Sequence, residues 1–222
     1  MKLHRMLAAA ALCGISLLGA SASAGILASD GNAIAGFHGS KPFAAAVGPL
    51  SFNASVDYAV YSPGTFTTTF GAGSDPSAGA QYVYAYQMTN TGTTAQRAPD
   101  FLTVGFNGDQ QPANIEALPN IFGDYGVDPI NPSTFIPAAP PYTSANWNYN
   151  NATPLLPSGI SSEILLYTSP NPPGFYNSSV KAGALVNTLP GALGLPSPIP
   201  EPTGAALAVL SGALLGMRRR RS

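Results

Sequence analysis

Runs of alternating apolar and polar residues fill the middle of the chain, and their period of two predicts short strands. Residues 55–61, Ser55-Val56-Asp57-Tyr58-Ala59-Val60-Tyr61, put Val56, Tyr58 and Val60 on one face before Ser62-Pro63-Gly64 turns the chain. Residues 81–88 put Tyr82, Tyr84, Tyr86 and Met88 on one side, and Asn90-Thr91-Gly92 follows as a turn signal. Residues 101–106 alternate through Leu102, Val104 and Phe106, so the two runs predict a hairpin with a longish loop around Arg97 and Asp100. Trp147-Asn148-Tyr149 and residues 162–168, through Ile164, Leu165, Leu166 and Tyr167, predict two more strands, the second broken by Ser169-Pro170-Asn171-Pro172-Pro173-Gly174. Residues 178–186 predict a last strand. Residues 108–141 are dense in Pro, Asn and Gly, with only brief apolar pieces such as Ile121-Phe122, and predict loop. Many short strands between frequent turns predict an all-β, antiparallel β-sandwich-like domain with long Pro/Gly/Asn-rich loops.

Both ends break this pattern. Lys2, His4 and Arg5 precede an apolar run over residues 6–18, and Ala22-Ser23-Ala24 supplies the small residues that a signal peptidase requires. Residues 1–24 therefore predict a signal peptide cleaved after Ala24. A lipoprotein reading of Cys13 fails, because Leu12 stands where a small residue is expected. At the other end Pro198-Ile199-Pro200-Glu201-Pro202 leads into an uncharged apolar run over residues 203–217 and then Arg218-Arg219-Arg220-Arg221-Ser222. A helix over 203–217 would span about 22 Å at roughly 1.5 Å per residue, short of the roughly 30 Å hydrocarbon core of a bilayer. Arginine side chains can extend the span by keeping their guanidinium groups at the headgroups, and they hold that end on the cytoplasmic side. Pro200 and Pro202 keep Glu201 in extended backbone outside the helix. The run predicts a short transmembrane helix that holds the chain at the inner membrane transiently.

The order of Pro-Glu-Pro triplet, short apolar helix and arginine cluster, over about twenty-five residues, resembles the PEP-CTERM sorting signal of exported proteins of Gram-negative bacteria. The resemblance implies recognition by an exosortase, a membrane cysteine protease or transpeptidase, and association with exopolysaccharide and biofilm. Carried over by position, Pro200, Glu201 and Pro202 are the recognition triplet, and Arg218, Arg219, Arg220 and Arg221 the cluster behind the helix. The tyrosine strand running into Asn90-Thr91-Gly92, and the stretch from Ser161-Ser162-Glu163 to Pro173, also look like stretches of such exported domains. The organisation expected is a signal peptide at 1–24, an exported β domain at 25–187, a linker at 188–197 and the sorting signal at 198–222. The linker reading rests on the uncharged Pro, Gly and Leu composition of residues 188–198.

Composition then narrows the chemistry. The single cysteine lies in the leader, so the exported part cannot form an internal disulfide. Between residues 25 and 199 only Lys41, Arg97 and Lys181 are basic against nine acids, a net charge near −6 that excludes a basic nucleic-acid footprint. His38 is the only histidine there, which leaves catalytic triads and transition-metal sites short of members. Ser77 lacks the first glycine of a nucleophile elbow, since Asp75 occupies it, and reads as a turn residue. Asp109, Glu116, Asp124 and Asp128 are the acids of the loop-rich middle; with Asn107 and Asn131 they could supply oxygen ligands to Ca²⁺, without the spacing of an EF-hand loop. Asn53, Asn151 and Asn177 each begin a short glycosylation-like triplet.

The expected function is a non-enzymatic secreted or cell-surface protein, a matrix or biofilm component sorted by an exosortase. Two rivals stand beside it. Tyr82, Tyr84 and Tyr86 could form a platform on which exopolysaccharide rings stack, although period-two tyrosines more often belong to the core or stabilise a sheet through cross-strand pairs. Paired carboxylates, with Asp124 and Asp128 foremost, could run a secreted glycosidase.

Overall fold

The computed structural model describes residues 25–106, 112–118, 134–149 and 156–199. Among them run β1 (His38–Val47), β2 (Leu50–Tyr61), β3 (Tyr82–Asn90), β4 (Phe101–Gly105), β5 (Ala113–Leu118), β6 (Thr134–Ile136), β7 (Ser144–Asn148), β8 (Ile164–Ser169), β9 (Pro173–Tyr176), β10 (Ser178–Ala182), β11 (Leu185–Leu189) and β12 (Leu195–Pro198). Two short helices, α1 (Ile26–Ser29) and α2 (Phe66–Phe70), accompany them. One five-stranded sheet has the order β1-β2-β3-β8-β5, a second β11-β10-β4-β7-β6, and β12 pairs with β9. Every pairing is antiparallel, so the described residues are all-β in class.

The alternation seen in the sequence decides which side chains share a core. Val56, Tyr58 and Val60 of β2, Tyr84, Tyr86 and Met88 of β3 and Leu165 and Tyr167 of β8 lie in one buried cluster. The same cluster takes Leu102 and Val104 of β4, Ala145 and Trp147 of β7, and Val180 and Ala182 of β10. The opposite face of the first sheet is covered as well. Ala59, Tyr61, Val83, Ala85, Ile164 and Leu166 pack there with Leu27 of α1 and with Phe66 and Phe70 of α2. Spaced four apart, the two phenylalanines of α2 fall on one helical face and both meet Tyr61, with ring centroids 5.0 and 5.9 Å away.

Asp30 ties this outer layer together. Its carboxylate accepts hydrogen bonds from the Tyr61 hydroxyl at 2.7 Å, Thr69 Oγ1 at 2.6 Å and the Asn32 amide at 2.9 Å. Desolvation works against the charged form, but the hydrogen bonds from Thr69, Tyr61 and Asn32 outweigh it and hold the carboxyl below its usual range. A depressed folded value stabilises the protein above the unfolded carboxyl value, about 3.9, and that contribution is lost as pH falls through the folded value. Urea unfolding at stepped pH should show this acid-side loss, and Asp30→Asn should flatten it.

Four sequence expectations are corrected. The 81–88 and 101–106 runs do not form a hairpin: β3 has β2 on one edge and β8 on the other, while β4 lies in the second sheet between β10 and β7. With both edges of β3 occupied, the chain must cross to the other sheet. The single strand expected at 178–186 is two strands, because Gly183, with φ of +61°, turns the chain so that Ala182 faces Leu185. Residues 108–141, read as loop, contain β5 and β6, where tertiary pairing to β8 and β7 supplies order that local composition does not. The linker expected at 188–197 is folded, since residues up to Leu189 complete β11 and residues 195–198 form β12 with all four side chains buried.

Candidate functional site

The last described residues of the chain are held by β9 and β12. Leu195 faces Tyr176, Pro196 faces Phe175, Ser197 faces Gly174 and Pro198 faces Pro173. Proline lacks an N–H, so a strand with prolines at 196 and 198 suits only an edge, and among the described residues β12 has β9 as its single neighbour. Backbone donors on either side of the prolines are used: the Leu195 N–H donates to Ser178 Oγ at 3.1 Å and the Ile199 N–H to the Pro172 carbonyl at 2.9 Å. Leu195 is inserted in the main core cluster, and the Tyr86 hydroxyl donates to the Pro196 carbonyl. Gly174 is required here for space, because a Cβ on it would sit 1.7 Å from Ile199 Cδ1. Ile199 is therefore still hydrogen-bonded to the domain, and Pro200 follows it directly. The sorting residues Pro200, Glu201, Pro202 and Arg218–Arg221, the apolar run at 203–217, and Ala22 and Ala24 of the leader lie outside the described residues.

Of the two readings of the tyrosine row, burial fits the sheet-stabilising one and not the sugar platform. Tyr84 and Tyr86 are completely buried, and Tyr82 is half-buried and packed against the same cluster. Tyr84 stacks on Tyr167 with centroids 5.0 Å apart and planes 9° off parallel, and Tyr86 lies 5.7 Å from Trp147. A ring whose faces are covered by other rings cannot receive a pyranose. Burial pushes the Tyr84 and Tyr86 hydroxyls up, so both remain protonated donors, to the Asn171 and Pro196 carbonyls respectively.

The other candidates hold structure together. His38 opens β1 and sets Nδ1 3.1 Å from the Ala28 carbonyl, joining α1 to the first sheet. Ser77 donates its hydroxyl to Asp75 Oδ1 at 2.7 Å and its amide to the same oxygen at 2.8 Å, an Asx turn. Asn53 donates to Gln96 Oε1 at 3.0 Å, and Asn177 Oδ1 accepts the Gly191 amide at 2.6 Å. Asp109, Asp124, Asp128, Asn107, Asn131 and Asn151 lie outside the described residues, and Glu116 is placed in β5 opposite Leu166. Among the described residues no group of three or more His, Cys, Asp or Glu converges as a metal site, and no helix is long and apolar enough to cross a membrane. Sequence reasoning missed β12 because six of residues 190–200 are proline or glycine of linker type, and β9 because it begins inside the breaker at residues 170–174; the one signal was Leu195, an apolar residue that the fold sets opposite Tyr176. A scan against protein-family models, a search of curated proteins and a search of solved structures find no match to the chain.

Proposed function

We propose that this chain is an exported, non-enzymatic surface or matrix protein whose C-terminal segment is a sorting signal of the PEP-CTERM kind. The observation that carries the reading is the succession of Pro200-Glu201-Pro202, the uncharged run 203–217 and Arg218–Arg221. In this reading signal peptidase removes residues 1–24, the apolar run holds the chain at the inner membrane, and an exosortase-like enzyme cuts near the triplet. The product goes to the cell surface or the extracellular matrix, where exopolysaccharide is the expected neighbour.

The folded part is read as a β-sandwich, its two five-stranded sheets contributing to one core. That design suits an exported chain without a disulfide, because packing of large buried rings supplies the stability. Since β12 ends at Pro198 and Ile199 is still bonded to Pro172, the triplet would be offered with almost no spacer. The processing enzyme would then work against the rim of the domain. Intact-mass measurement of the protein recovered outside the cells tests the reading. Loss of both residues 1–24 and the segment after roughly Pro202 is expected, and recovery of a chain still carrying Arg218–Arg221 would count against it.

A further inference from the structure

Gly25 lies in contact with a buried carboxylate. Its N–H donates to Asp57 Oδ2 at 2.7 Å, and Asp57 is only 7% exposed in the middle of β2. Directly across the sheet from Asp57 stands Gln87 of β3, 1% exposed. The Gln87 Nε2 donates to the Ser162 carbonyl at 3.0 Å, which leaves its Oε1 turned towards Gly25. A Cβ on Gly25 would lie 2.5 Å from Asp57 Oδ2 and 3.1 Å from Gln87 Oε1, so both oxygens crowd this residue and any side chain would displace them. Two-residue spacing puts Ala59 on the same face of β2 as Asp57, and Val83 and Ala85 on the same face of β3 as Gln87; these three pack in one cluster with Leu27 of α1, all fully buried. One amide hydrogen is a poor match for a full negative charge and a second carbonyl oxygen in apolar surroundings, because a buried carboxylate is costly unless an opposite charge accompanies it.

We propose that this site is made for the free α-ammonium group of Gly25, so that cleavage after Ala24 creates a buried ion pair between the new chain start and Asp57. The inference rests on the cleavage reading given above. Hydrolysis breaks the Ala24–Gly25 C–N bond. The hydroxyl of water goes to the Ala24 carbonyl carbon and its hydrogen to the Gly25 nitrogen, and the new carboxylic acid gives up the proton that the amine takes. The ammonium then has three donors where the peptide had one, enough for Asp57 and Gln87 together. Its charge meets the carboxylate in a poorly solvated place where the attraction is strong. Removal of the leader would thereby lock α1 onto the first sheet, and only a processed chain would carry the fully stabilised outer layer.

The test compares two purified chains, one starting at a free Gly25 and one retaining Ala24 before it, both running to Ser222 and handled in the same detergent buffer. At pH 6.5 the chain with the extra alanine is expected to show an unfolding constant higher by about tenfold, the scale of a charge-assisted hydrogen bond. The gap should vanish in the Asp57→Asn background. It should also close as pH rises above the ordinary α-amino value of about 8, since a group whose charged form is held by the fold loses that stabilisation with its proton. The other titratable groups near this layer are Asp30, His38, Tyr61 and Glu163, and they are common to both chains, so their contributions cancel in the comparison. No gap in the unmodified sequence, a gap that survives Asp57→Asn, or one that persists at high pH would overturn the ion pair. N-terminal sequencing of the exported protein separates the other premise: a first residue other than Gly25 would overturn the cleavage, whatever the stability gap between the purified chains.

Discussion

Tyr86→Ala is expected to remove a large share of the stability of the folded domain. The ring is completely buried, lies 5.7 Å from Trp147 and 6.0 Å from Tyr167, and carries a hydroxyl that bonds both the Tyr167 hydroxyl, at 3.1 Å, and the Pro196 carbonyl. Truncating an aromatic side chain in such a place costs about 3 to 5 kcal/mol through lost burial and the cavity left behind. A domain has only about 5 to 15 kcal/mol to lose. Trp147 is the single tryptophan, so its fluorescence reads the transition directly in urea. Tyr86→Phe separates the two contributions: the cavity is avoided, and the loss of about 1 to 3 kcal/mol would come from leaving the Pro196 carbonyl without its donor. A change below about 0.5 kcal/mol for the alanine variant, as expected of an exposed position, would show that the ring is not buried and would reopen its use as a platform.

Gly194→Ala is expected to release β12 while the two large sheets stay folded. Gly194 has φ of −72°, which alanine tolerates, so the conflict is one of contact alone. Its Cβ would fall 1.7 Å from the Tyr176 carbonyl oxygen and 3.1 Å from that of Leu189. Backbone atoms on both sides cannot rotate away as a side chain does. The chain has to lift off β9, and with it go the burial of Leu195, the Leu195 bond to Ser178 and the tether from Tyr86. Overpacking of this kind costs about 1 to 3 kcal/mol, which raises the open population of the segment about 5- to 150-fold. Limited proteolysis followed by mass spectrometry should show accelerated cutting between residues 190 and 199. Unchanged resistance there would mean that the close approach of Gly194 to β9 is not what seats the strand. In the sorting reading the same variant also lengthens the spacer before Pro200, so processing at the triplet should become faster or less confined.

Most strands that could be read from the chain alternate large apolar residues with small or polar ones, while 162–168 was legible as a short continuous apolar run, Ile164-Leu165-Leu166-Tyr167, buried on both faces. Val56, Tyr58 and Val60 lie on one face in the fold, as do Tyr84, Tyr86 and Met88. β1 escaped because only Phe43 in it is buried, and the strand is an edge whose Lys41 and Pro42 face no further neighbour in the sheet. Partner choice was not legible either. Alternation tells how many faces a strand buries and says nothing about which strand lies beside it, and the joining of 81–88 to 101–106 failed for that reason.

The candidate site divides in the same way. The Pro200-Glu201-Pro202 triplet, the apolar run and the arginines stand in covalent order, so the sequence by itself determined their presence and spacing. It also determined the all-β character, through the period of its apolar residues. Only the tertiary structure decided that the tyrosine row faces inward, because burial depends on whether a second sheet covers that face. It likewise decided that residues 195–198 are a strand, since a segment of proline and leucine without charge is linker in isolation and edge strand when β9 offers its backbone. The meeting of Gly25 with Asp57 is of the same origin: thirty-two positions apart in the chain, they touch because α1 folds back over β2, and no local pattern records that contact.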